Sequence, residues 1–187
     1  MSASAPSRGR LSRQTWADAA LAALARSGPR AVAVEPLARR LGVTKGSFYW
    51  HFKGRDELLA AAMERWEQLT TAAVITEAGE APPRQRLRAL FEQAFEVRRM
   101  GFLLVHLAAN AADPIIGPAL ERVTTRRLTF LARIYEDCGL QGDEARHRAL
   151  LAYSAYIGLF HVLTGASGLV ADDRSTYIEH LVETLVP

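Results

Sequence analysis

A chain of 187 residues, 49% apolar and 23% charged, has room for one or two small domains with a sizeable core. No uninterrupted apolar run reaches the roughly 18–20 residues of a membrane span. The opening MSASAPSRGR lacks a signal peptide's apolar stretch and reads as a flexible tail, about residues 1–10. A single cysteine, Cys138, allows no intrachain disulfide and points to a reducing, cytoplasmic compartment. Charge is uneven. Residues 1–53 carry nine Lys/Arg against Asp18 and Glu35, a net +7, while the remainder carries 14 against 18, a net −4. A basic head on a mildly acidic body suits a protein whose N-terminal third meets a polyanion.

In chain order, Ser12 can cap a first helix whose inner face is Trp16, Ala20, Ala23 and Leu24, with Gly28-Pro29 ending it. Arg8, Arg10 and Arg13 are candidate phosphate contacts from the start of the chain. A second helix runs from about Glu35 to Leu41, with Pro36 tolerated in its first turn. Val34, Leu37, Ala38 and Leu41 fall at i, i+3, i+4 and i+7, one helical face. Gly42 then stops it, and Thr44 is a good N-cap for a third helix reaching about Trp50. Helix, short turn, helix is the helix-turn-helix plan, in which the second helix enters the DNA major groove. Lys45, Gly46, Ser47 and Tyr49 are the candidates for base contacts, and Thr44, Tyr49, His51 and Lys53 for phosphates. Phe48 and Phe52 read as core plugs. The segment LGVTKGSFYWHFKGRDEL resembles the recognition region of the TetR family of bacterial transcriptional regulators. The resemblance extends back through Asp18-Ala19-Ala20-Leu21 and Gly28, covering roughly residues 12 to 66. It implies a repressor whose second domain is variable in sequence. One departure is Val32-Ala33, where the family often has a Thr or Ser that caps the second helix and touches a phosphate.

A fourth helix starts near Arg55 or Asp56, with Asp56 and Glu57 in its first turn, and carries the stripe Leu59, Ala62, Met63, Trp66, Leu69 and Ala73. It is long enough to run from the head into the body. TEAGEAPPR, residues 76–84, reads as a linker. A helix with Leu87, Leu90, Phe91, Ala94 and Phe95 follows, broken at Met100-Gly101. The next, Phe102 to about Ala109, is apolar nearly all round and should be buried. Asp113-Pro114 opens another, interrupted early by Gly117-Pro118 and continuing to about Asp137. Two more span about Asp143–Thr164 and Asp173–Leu185, separated by the Gly165–Gly168 break. The fold class is all-α with about nine helices. A three-helix helix-turn-helix domain at 1–54 precedes a helical ligand-binding and dimerisation domain at 55–187.

No P-loop, GxGxxG, HExxH or CxxC occurs, so no metal or other cofactor is expected. GASG at 165–168 lacks the Gly-x-Ser-x-Gly nucleophile pattern and reads as a turn. An apolar effector site is expected among Trp66, Phe91, Phe95, Met100, Phe102, Leu103, Tyr156 and Phe160, oriented by His106, Asn110, Tyr153 and His161. Cations near these segments are few, so a strongly anionic effector is not the expectation, although Arg98, Arg99 or Arg127 could supply a cation for one. The last helix offers Ile178, Leu181, Val182 and Leu185 with little chain left to cover them, and the helix before it is apolar on more than one side. Leu159 and that stripe are therefore candidate contacts of a homodimer, and two recognition helices related by a two-fold imply an inverted-repeat operator. The expected partners are duplex DNA, a small-molecule effector and a second copy, with no membrane. The alternatives are an all-helical metal-dependent enzyme and a regulator controlled by a partner protein.

Overall fold

The computed structural model describes residues 11–79, 81–96, 98–165 and 174–187, and their side chains except at 95, 96, 98–101, 174, 175 and 178. Arg8, Arg10, the 166–168 break, and the side chains of Phe95, Arg98, Arg99, Met100 and Ile178 lie outside the described residues. Among the described residues every regular element is helical. The chain divides into two units, Met1–Arg65 and Trp66–Pro187.

The first unit contains α1 (Arg13–Ser27), α2 (Val34–Leu41), α3 (Lys45–Tyr49) and most of α4 (Arg55–Glu67). Ser12 caps α1 by accepting the Thr15 N–H at 3.1 Å. Gly42, in the left-handed region at φ 68°, ends α2 and lets its N–H return to the Ala38 and Arg39 carbonyls. Ala33 offers α2 no side-chain cap, as Val32-Ala33 implied. An aromatic stack holds the unit together. Trp16 meets Phe48 edge-on at 5.3 Å, and Phe48 stacks on Phe52 at 5.4 Å. Arg65 pairs with Asp18 at 2.7 Å, tying α4 to α1, while Arg55 donates to the Val32 and Pro29 carbonyls and pins the loop before α2.

The second unit begins within α4. The helix continues as a π-helical turn, Gln68–Ala72, and then as α5 (Ala73–Glu77), one unbroken helical run from Arg55 to Glu77. Counted as one rod, it brings the helices to nine among the described residues. Next come α6 (Pro83–Glu96), α7 (Arg98–Ala108), α8 (Ile116–Asp137), α9 (Gly142–Gly165) and α10 (Arg174–Leu185). Two boundaries differ from expectation. Helix α7 runs through Met100-Gly101, because one interior glycine costs only about 1 kcal/mol and its neighbours favour helix. Helix α8 absorbs Gly117-Pro118 in its first turn, where proline forfeits no intrahelical hydrogen bond. Asp113 Oδ1 accepts the Ile115 and Ile116 N–H groups and starts that helix. The core packs α9 against α8 and α7, with α10 against α6. It is built from Leu87, Ile134, Tyr135, Leu159, Phe160 and Val182 among others.

Candidate nucleic-acid interface and effector cavity

Helix α3 is a five-residue helix held from below by one side chain. Phe48 is fully buried between Trp16 and Phe52, so the residues around it point outward. Thr44, Lys45, Gly46, Tyr49 and Lys53 are exposed and Ser47 is half-buried. Tyr49 and Trp50 are 56% and 74% exposed, unusual for aromatic residues beside a core. Thr44 occupies the N-cap position of α3, but its hydroxyl makes no capping bond. A Cβ on Gly46 would meet nothing closer than the Thr44 hydroxyl at 3.7 Å, so Gly46 makes the surface low without being required by the fold.

Two members of this set are tied more closely than their residue types suggested. Lys45 Nζ donates to Glu35 Oε1 at 2.9 Å across the turn. That hydrogen bond, with the attraction of opposite charges, raises the lysine pKa and lowers that of the glutamate. His51 is half-buried, and its Nε2 is enclosed without a hydrogen-bond partner in the described structure. Lys53 is held at its backbone: its N–H donates to Glu57 Oε2 at 2.7 Å. Glu57 also accepts from Arg13, whose guanidinium lies 4.8 Å from the Phe52 ring centre. The backbone donor, then Arg13, holds the Glu57 carboxyl below its ordinary pKa.

In the second unit a cavity of about 290 Å³ opens between four helices. The run through the π-turn contributes Leu69, Thr70, Thr71, Val74 and Ile75, and α6 contributes Leu90, Phe91, Gln93 and Ala94. Arg127, Phe130 and Leu131 of α8 and Ala152, Tyr153 and Tyr156 of α9 complete the wall. Of the sequence candidates, Phe91, Tyr153 and Tyr156 therefore line it. Burial pushes the Tyr156 phenol up to about 12, so it remains a neutral donor at physiological pH. Tyr153 OH lies 3.4 Å from Thr124 Oγ1.

The other candidates are elsewhere. Phe102 and Phe160 meet edge-on at 5.7 Å, and Phe160 meets Tyr156 at 5.2 Å, so both support the wall from behind. Trp66 is fully buried, with the Arg127 guanidinium 5.3 Å from its ring centre. His106 is half-buried on α7, and its carbonyl accepts from the Asn110 amide at 2.8 Å. His161 is exposed on α9. None of these five joins the lining, nor do Trp66 and the buried Leu103. Phe102, Phe160 and Trp66 pack among core side chains, and the aromatic part of the wall comes instead from Phe91, Phe130, Tyr153 and Tyr156. The polar lining residues missed include Thr70 and Thr71, for which two adjacent threonines within an otherwise apolar stripe were the available signal, and much of the aliphatic wall, such as Val74, Ile75 and Leu131, was missed as well. Among the described residues no group of three His, Cys, Asp or Glu is placed to hold a metal ion, and no helix is long and apolar enough to cross a membrane.

The dimer candidates divide as well. Leu159, Val182 and Leu185 are buried in the core of a single chain, and Leu181 is half-buried against it. Among the described residues, the large exposed apolar side chains on these helices are Leu150, Leu151 and Val162 of α9 and Tyr177 of α10.

Residues 17–62 match the family model described as "Bacterial regulatory proteins, tetR family". The HTH-type transcriptional regulator SrpR of Pseudomonas putida is 41% identical over 51 residues, 27% of this chain and 24% of that protein's length. The match therefore spans about a quarter of that relative. Over nearly the whole chain, the fold is similar to a transcriptional regulator from Rhodococcus sp. Rha1, with a TM-score of 0.77, 24% identity and 94% of each chain covered. It is also similar to a TetR transcriptional regulator from Legionella pneumophila, with a TM-score of 0.78, 15% identity and the full length of both chains.

Proposed function

We propose that this chain, a member of the TetR family of transcriptional regulators, represses transcription in the cytoplasm from an inverted-repeat operator that it binds as a homodimer. A small, largely apolar effector entering the second-unit cavity releases it. The observation that carries the reading is α3. A helix of five residues exposes Thr44, Lys45, Gly46 and Tyr49 while its single buried side chain, Phe48, is clamped by Trp16 and Phe52. Such a helix adds little to the core, and its exposed edge combines small residues, a hydroxyl and a cation, which suits base edges and phosphates in a major groove. The basic excess of residues 1–53 supplies the non-specific attraction.

The effector role is supported by a cavity with mostly apolar walls and a few converging polar groups. Its first wall belongs to the helical run that starts at Arg55, next to the recognition segment, so that run is the route by which occupancy changes DNA affinity. This requires the effector to bind the DNA-competent and released forms with different affinities. The second copy is supported by the exposed Leu150, Leu151 and Val162 on one helix.

The test is selection of genomic DNA fragments by the purified protein. Enrichment of an inverted repeat, with binding that weakens steeply as salt rises, is the expected result. Retention of random fragments with no common sequence would refute the reading.

A further inference from the structure

The geometry points to a specific effector class for the cavity: a small organic acid, with an apolar body against the aliphatic and aromatic wall and one carboxylate on Arg127. The inference rests on the reading that this cavity receives the effector. Arg127 is half-buried in the cavity wall, and among the described residues the oxygen atoms that engage it are neutral. Its Nε donates to Thr71 Oγ1 at 2.9 Å, and its Nη2 donates to Thr70 Oγ1 at 2.7 Å and to the Thr70 carbonyl at 3.2 Å. No carboxylate among the described residues pairs with it. The nearby acid on the same helical run, Glu67, is already shared by Arg122 and Arg126.

A guanidinium stays protonated at any physiological pH, so the wall carries a fixed positive charge. The three hydrogen bonds use Nε and Nη2 and lock the plane of the group, and Nη1 makes none among the described residues. The Trp66 ring, 5.3 Å from the guanidinium carbon, covers it further. The result is an oriented cation beside an apolar space, where a charge-assisted bond is strong because little water screens it. The phenols of Tyr153 and Tyr156 line the same space. Burial keeps the Tyr156 phenol protonated, and a neutral phenol can donate to a carboxylate. A volume of about 290 Å³, at the lower end for ligand pockets, sets the size.

The experiment measures binding to the full-length protein by calorimetry. Decanoate is compared with decanol and with methyl decanoate, and cinnamate with cinnamyl alcohol. At neutral pH each acid is expected to bind about tenfold or more tightly than its neutral partners. In Arg127→Met that preference disappears while the alcohols bind as before. Equal affinity of acid and alcohol for the wild type overturns the inference, as does a preference that survives in Arg127→Met, or no binding by any probe. Because Arg127 also anchors Thr70 and Thr71, the ester comparison on wild type decides the matter should the variant not fold. Operator release separates this from the broader reading. Release by neutral compounds without acid preference removes the acid assignment and leaves the effector reading standing, whereas acid binding without any DNA binding does the reverse.

Discussion

Lys45 and Lys53 stand close in sequence but are held differently, and the difference is testable. Lys45 already has an acidic partner in Glu35, which a base edge read by Lys45 would have to displace or share. Replacing Lys45 by Ala should weaken binding to a selected operator by about ten- to a hundredfold and relax preference at one base pair, measured by competition with single-position operator variants. Equal loss across all sequences would mean that it meets a phosphate instead. Lys53→Ala should weaken every sequence alike and make the dependence of log affinity on log salt shallower by about one unit. Gly117 is constrained by packing. A Cβ there would sit 2.4 Å from the Ala111 carbonyl oxygen, a backbone atom that cannot swing aside. Although alanine is the better helix former, Gly117→Ala should destabilise the protein by about 1–3 kcal/mol in urea unfolding, because the contact forces the backbone to move.

Among the elements, the start of α4 is secured by an acid. Glu57 accepts the Lys53 N–H and the Arg13 guanidinium, and its folded pKa lies below the ordinary carboxylate value of 4.5. The unfolded chain then binds more protons as pH falls, so the stabilisation is present above that value and is lost as pH drops through the folded pKa. Glu57→Gln should give a shallower loss of stability on acidification below about pH 4.5, read by circular dichroism at a series of pH values. An unchanged slope would show that these contacts are absent in solution. At the other end of the chain, the buried Tyr135 hydroxyl of α8 donates to the Leu185 carbonyl at 2.9 Å, holding the end of α10. Burial raises this phenol well above its usual pKa, so the bond persists through the physiological range. Tyr135→Phe should cost about 1–3 kcal/mol through the unpaired buried carbonyl, with faster amide exchange confined to α10. The internal anchoring also changes how the last helix is read: a charge at Leu185 would disrupt the core of one chain before it disturbed any partner.

For the whole molecule, the proposed association would use the outward face of α9. Leu150, Leu151 and Val162 are exposed in the single chain, while Leu159, Phe160 and Leu163 of the same helix are buried. Replacing both Leu150 and Leu151 by Glu should leave the helical content intact, convert a dimer of about twice 20.6 kDa to monomers, and lower operator affinity sharply. Sedimentation and operator binding on the same samples check this. A wild type already at 20.6 kDa at micromolar concentration would refute it.

The helix-turn-helix segment is legible along the chain because every signal there is local. The i, i+3, i+4, i+7 face of Val34 to Leu41, the left-handed stop at Gly42 and the N-cap position at Thr44 each depend on only a few neighbouring residues. Helix content and the Ser12 and Asp113 starts were legible for the same reason. Which side of a helix apolar on several faces turns inward depends instead on the packing of its neighbours. Periodicity ranks Leu159 with Leu151 and Val162, but the packing of α8 and α7 on α9 buries the first and leaves the other two outside. Packing also decided the cavity. Phe102, Phe160 and Trp66 are the conspicuous aromatics, yet they consolidate the core, while the wall forms where Thr70, Thr71 and Arg127 meet across residues 56 and 57 positions apart. The π-turn that presents those threonines has no sequence period of its own. A cavity is a property of several helices converging, and pattern along one helix carries no information about what faces it.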